Sequence, residues 1–221
     1  MLAENFTTVK TPDIMRRDSF PVFFDRTNSR DPPMAVSCQG QMLVAANHLR
    51  DASFYRSVVL VLEHNSLGAM GLVINRPSAV TVEKALSEHL DTGTCETPVF
   101  VGGPVETSAL FILHNLETLG KQDQEVLPGL YLAGSHESFE SVVRGGMKPE
   151  KSVLFRVYCG YAGWGANQLD SELTRGDWHV LPGDGATVLE QDPYATWEMC
   201  MRKVYRENRV LPHNVRNPEW N

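Results

Sequence analysis

The chain has 221 residues, 42% of them hydrophobic and 21% charged, with a formal net charge of −7. This length and composition suit one soluble globular domain with extensions. The negative charge argues against a broad nucleic-acid or anionic-membrane footprint, and no apolar run approaches the roughly 20 residues of a membrane span. Residues 1–37 read as an irregular N-terminal arm. Its charges alternate in sign, and its Phe20-Pro21-Val22-Phe23-Phe24 island is apolar enough to dock on the main body. Regular structure opens with a short strand over 41–46. Val58-Val59-Leu60-Val61-Leu62 then predicts a strand buried on both faces, joined through the turn residues 64–68 to a second strand over 69–75. Arg76-Pro77 is expected to end that hairpin, because proline has no amide to give a ladder.

A helix capped by Thr81 is predicted over 81–90, with Val82, Ala85, Leu86 and Leu90 on one face. A strand over 98–101 runs into Gly102-Gly103-Pro104. Strands over 109–114 and 129–133 flank a polar loop, and a helix follows from Ser135 to about Arg144. Phe155 to Cys159 reads as a strand. Gly160, Gly163 and Gly165, with Tyr161 and Trp164 between them, read as a glycine-aromatic turn leading into a helix from Ala166 that Gly176 stops. A strand over 178–181 and a helix opened by Asp192-Pro193 complete the domain, which spans 38–205, and residues 206–221 form a polar tail. Short strands intermixed with helices and hairpins predict an α+β fold with a mixed sheet.

No chemistry-bearing motif stands out. Gly102-Gly103-Pro104 is followed by neither GxGxxG nor GxxxxGK[ST], and there is no GxSxG nucleophile elbow. The four cysteines are scattered with no CxxC pair, and His48, His114 and His179 lack metal-ligand spacing, so neither a metal nor a cofactor is expected. Glu63 and His64, adjacent on a strand, point to opposite faces, which favours a satisfied histidine over an acid/base pair. Cys159 is expected to be a buried thiol. The N-terminus shows no signal-peptide pattern, which leads to the expectation of a cytoplasmic protein with reduced thiols.

Leu43-Val44-Ala45-Ala46 with His48-Leu49-Arg50-Asp51 and Phe54-Tyr55-Arg56-Ser57 resembles the opening of the YqgE/AlgH family. The resemblance continues through Gly68 to Pro77, Pro98 to Val105, and Gly160-Tyr161-Ala162-Gly163-Trp164-Gly165 with Gln168-Leu169, and ends at Gly176-Asp177-Trp178. It implies a bacterial protein with plant relatives and an α+β fold whose sheet is coiled and bifurcated. It transfers no catalytic residues. The family name carries a label of transcriptional regulation, but no helix-turn-helix or basic recognition helix accompanies it here, so strong direct DNA binding is not expected.

The expected function is non-catalytic binding of a small anionic ligand, in a sensory or regulatory role. A protein-interaction module acting in transcription without touching DNA, and an enzyme of unknown reaction, are the alternatives. The residues expected to bind are Asn75 and Arg76 at a strand end, Gly102 and Gly103, Tyr161 and Trp164 as a flat apolar wall, and Gln168 on the first helical turn. Tight packing, with the two rings as core, is the competing reading of the glycines, Tyr161 and Trp164, and a carboxylate partner elsewhere in the fold is that of Arg76.

Overall fold

A computed structural model describes residues 37–87, 95–119, 123–146 and 153–207. Residues 1–36 of the expected arm, the end of the first predicted helix and residues 208–221 of the tail lie outside them. The strands are β1 (Gln41–Ala45), β2 (Val58–Asn65), β3 (Gly68–Val73), β4 (Pro77–Thr81), β5 (Pro98–Val101), β6 (Val105–His114), β7 (Gln124–Leu127), β8 (Leu130–Leu132), β9 (Phe155–Gly165) and β10 (Trp178–Pro182). The helices are α1 (Val82–Leu86), α2 (His136–Gly146), α3 (Gln168–Arg175), α4 (Gly185–Leu189) and α5 (Pro193–Glu207). The sheet runs β10-β1-β2-β3-β9-β6-β8-β7, and β4 pairs with β5, which joins β9 by the one parallel pairing described.

Period-two burial explains the central strands. Met42 and Val44 of β1, and Val58, Leu60 and Leu62 of β2, face one core, while Leu43, Ala45, Val59 and Val61 face another. Both faces are covered, as the continuous apolar run of β2 predicts, and each fully buried Val or Leu contributes about 1.5–3 kcal/mol. Val126, Leu130 and Leu132 at one end of the strand order share a core with Met42 and Leu181 at the other. The sheet therefore curls until its ends meet. Gly183 marks the meeting point, where an added Cβ would overlap the Gly40 carbonyl and the Leu127 side chain.

The longest strand corrects one expectation. Gly160 to Gly165 is not a turn but the second half of β9. Val99–Val101 of β5 pairs with Val157–Cys159, and Gly68–Gly71 of β3 pairs with Ala162–Gly165. Gly160, at φ +68, divides the two halves. It also shifts the strand's phase: Tyr158 and Tyr161, three apart, face the same core, whereas Val157 and Cys159 face a second and Ala162 and Trp164 a third. The α1 and α2 helices cover the second core and α3 covers the third.

Other boundaries also differ from expectation. Pro77 does not only end the β2–β3 hairpin; it opens β4, an edge strand whose first residue needs no ladder donor. β6 begins at Val105 rather than Ala109, β7 lies where a polar loop was expected, and α4 precedes the last helix. Asn167, in the left-handed region at φ 60, delays α3 until Gln168, and Gly176 at φ 78 closes it. Thr81 caps α1 as expected, accepting from the Lys84 amide, and Asp192 accepts from the Tyr194 amide at the start of α5. That helix buries Thr196, Cys200, Met201 and Val204.

Candidate functional site

The backbones of the expected site residues meet. The Arg76 carbonyl accepts from the Val101 amide, the Gly102 carbonyl accepts from the Val73 amide, and the Gly102 amide donates to the Cys159 carbonyl, each at 2.8 Å. This meeting is close packing: a Cβ on Gly102 would overlap the Gly160 carbonyl, and one on Gly103 would overlap the Tyr161 backbone. The side chains diverge from there. The Tyr161 ring packs edge-on to Phe111 in one core, while Trp164 stacks on Phe54 in another. Gln168 is exposed; its Oε1 accepts from the Gly165 amide at 3.1 Å and its Nε2 donates to Glu172 at 3.0 Å. Glu172 Oε2 also accepts from the indoles of Trp164 (2.9 Å) and Trp178 (2.8 Å), which pins α3 to the sheet.

Asn75 and Arg76 face the other way, onto the loop between β1 and β2. The Asn75 amide is fully directed: Oδ1 accepts from the Val58 amide at 2.8 Å and Nδ2 donates to the Arg56 carbonyl at 3.0 Å. The half-buried Arg76 guanidinium donates to the carbonyls of Ala52 (3.3 Å) and Tyr55 (3.1 Å). Desolvation lowers its pKa, against the pull of nearby Asp51.

The loop so held forms one wall of a 290 Å³ cleft lined by Ala46, Asn47, Arg50, Tyr55, Arg56 and Trp197. Helix α5 forms the other wall. It is anchored by Trp197 Nε1, which donates to the Ala45 carbonyl at 2.9 Å, and by Tyr205, whose hydroxyl accepts from Asn47 Nδ2 at 2.6 Å. The Arg56 guanidinium lies 5.0 Å from the Trp197 ring centre and 5.6 Å from that of Tyr55, and Arg50 lies 6.0 Å from the same tyrosine. Ring contacts of this kind engage the π face of the aromatic and leave the N–H edge of a guanidinium for oxyanions. Among the described residues, neither arginine is in an ion pair.

Arg50, Tyr55 and Arg56 stand in an aperiodic loop, and Trp197 joins them from a helix far along the chain. Arg50, Tyr55 and Arg56 fall within the motifs that carry the family resemblance, but those motifs assign them no role; the Arg76-Pro77 strand end, singled out as a site, supports the cleft from behind instead of lining it.

The remaining polar clusters are built as structure. His114, Asp123 and Ser138 are buried together, with Asp123 at the centre: Ser138 Oγ donates to it at 2.6 Å, the Gly134 amide at 3.0 Å, and His114 Nε2 lies 3.0 Å away. The Leu116 amide donates to His114 Nδ1, which fixes Nε2 as the nitrogen that donates to Asp123. The serine hydroxyl thus faces a carboxylate and not the imidazole, so this trio lacks the nucleophile–base contact of a hydrolytic triad. His64 is buried in β2 and not in a turn; its Nδ1 accepts from the Cys38 amide at 3.2 Å and its Nε2 lies 3.5 Å from Asp170. Burial raises the Cys38 and Cys159 thiols, with Asp170 adding to the shift at Cys38, so both are held in the unreactive thiol form. Among the described residues, no group of three or more His, Cys, Asp or Glu could hold a metal ion, and no helix is long and apolar enough to cross a membrane.

Residues 42–208 match the family described as AlgH-like. The UPF0301 protein of Myxococcus xanthus is 38% identical over 164 residues, covering 73% of this chain and 87% of that protein. A UPF0301 protein of Thioalkalivibrio sulfidiphilus is 37% identical over 168 residues, covering 74% and 88%. The solution structure of the AlgH protein from Pseudomonas aeruginosa is similar at a TM-score of 0.61 and 30% identity, over 79% of this chain and 92% of that one. A crystal structure from Corynebacterium diphtheriae, with a TM-score of 0.63 and 23% identity over 78% and 90% of the two chains, shares the fold. By sequence over most of its described length, this chain belongs to the AlgH-like family.

Proposed function

We propose that the protein binds a small oxyanion, without covalent chemistry, in the cleft between the β1–β2 loop and α5. The observation that carries this reading is the pair of guanidinium groups, Arg50 and Arg56, held against the Tyr55 ring with no carboxylate partner among the described residues. Like charges tethered to one ring repel, and an anion between them relieves that repulsion while accepting charge-assisted hydrogen bonds. A volume of 290 Å³ suits a ligand at the small end of the usual pocket range, about 300–1,000 Å³. A phosphoryl group is favoured over a carboxylate, because two cationic forks complement a dianion better than a monoanion.

The test is titration of the full chain with inorganic phosphate and, separately, acetate, followed by calorimetry and amide chemical shifts. Phosphate is expected to bind more tightly than acetate and to shift resonances of residues 46–56 and Trp197. Arg56→Ala is expected to weaken phosphate binding by about 1.5–3 kcal/mol. Equal weak responses to both anions, or phosphate binding unchanged in the Arg50→Ala/Arg56→Ala double variant, would overturn the reading.

A further inference from the structure

Arg56 has an unusual backbone. Its φ of 52 lies in the left-handed region that non-glycine residues rarely occupy. The Ser57 amide and hydroxyl donate to the Phe54 carbonyl at 3.1 and 2.8 Å and close a turn with Arg56 at its third position, where a positive φ falls; a non-glycine residue held there costs on the order of 1–3 kcal/mol, which its surroundings must offset. Two side chains just past the end of β3 brace that turn. Asn75 Nδ2 donates to the carbonyl of Arg56 itself, and Asn75 Oδ1 accepts from the amide of Val58, two residues later. Arg76, the next residue, donates to the carbonyls of Tyr55 and Ala52. Two adjacent side chains thus grip the backbone on both sides of Arg56, and all four of these bonds go to main-chain groups.

We infer that Asn75 and Arg76 are positioning residues for the anion cleft: they hold the Arg56 main chain in its left-handed conformation, so that its guanidinium lies between Tyr55 and Trp197 before any ligand arrives. This inference rests on the proposed anion site. A guanidinium carries several rotatable bonds, and ordering it only on binding subtracts from affinity. Fixing its root and seating its plane against two rings removes that cost in advance. Asn suits the task because it donates and accepts from one planar group. Asp at the same position keeps the Val58 bond and loses the donation to Arg56.

The experiment is a double-mutant cycle read by calorimetric titration with inorganic phosphate, with circular dichroism and thermal midpoints recorded for each variant. Asn75→Ala is expected to weaken phosphate binding about tenfold in the wild-type background and to have no further effect in Arg56→Ala. Asn75→Asp is expected to weaken it similarly at a smaller loss of thermal stability, and it replaces Asn75→Ala in the cycle if the alanine variant does not fold. A merely structural asparagine would lower the midpoint and leave phosphate affinity intact, or weaken binding equally in both backgrounds; either result overturns the inference while the site stands. Unchanged phosphate binding in Arg56→Ala overturns the site and the inference with it.

Discussion

Asp123 shows how one buried side chain can set acid stability. Its carboxylate is fully enclosed and accepts from Ser138, the Gly134 amide and His114, three donors that all favour the charged form. Desolvation pushes the other way, but the net shift of its pKa is downward. A folded-state pKa below the unfolded value, about 3.9 for Asp, gives a contribution fully present above that value and lost as pH falls through the folded pKa. Stability should therefore decline in acid below about pH 4. Asp123→Asn is expected to destabilise the protein at neutral pH by about 1–3 kcal/mol, because the amide cannot accept all three bonds. It should also flatten the acid limb. Urea unfolding of both forms between pH 3 and 7 checks both effects, and an equally steep acid limb in the variant would locate the titrating group elsewhere.

At the scale of elements, the glycines serve two different needs, close approach to β9 and a left-handed backbone angle. Gly103 meets the Tyr161 backbone so closely that no Cβ fits, and Gly102 likewise abuts the Gly160 carbonyl. Gly129, at φ +74, has open space around it and is glycine for its backbone angle alone. Gly129→Ala should cost about 1–2 kcal/mol, the price of a left-handed Cβ. Gly103→Ala should cost far more, since the Cβ would have to push the β5–β6 connection away from β9, and recovery from the soluble fraction together with thermal midpoints will rank the two. The same contrast explains what the sequence made legible. Val58–Leu62 announced a two-sided strand because alternate residues found two cores, and Thr81, Gly176 and Asp192 announced helix ends because caps are local. Gly160–Gly165 resembled a turn because glycine spacing is the same whether the backbone bends or another strand approaches. The cleft was hidden for a related reason: Arg56 and Trp197 meet only after the sheet has curled, and no local pattern encodes a left-handed arginine.

For the whole molecule, the net charge of −7 and the two-arginine cleft make opposing demands on a partner. A duplex presents one negative charge per about 1.7 Å of axis, so a DNA-binding face must neutralise many phosphates at once, typically about 6–10. The cleft offers two guanidiniums without an ion-pair partner among the described residues, and the surrounding field is repulsive to a polyanion. A small dianion that enters the cleft feels the local forks strongly, and screening over about 8 Å at physiological salt hides most of the remaining surface. We therefore expect phosphate binding to weaken only modestly between 50 and 200 mM salt, with a shallow slope in log affinity against log salt, about that of one or two ion contacts. Duplex DNA at matched phosphate concentration should not displace phosphate from the cleft. Fluorescence titrations of the full chain, with and without a duplex competitor at both salt concentrations, measure this. Efficient displacement by DNA, with a slope typical of many contacts, would mean that a basic surface larger than the cleft governs recognition, and the small-anion reading would give way to a nucleic-acid one.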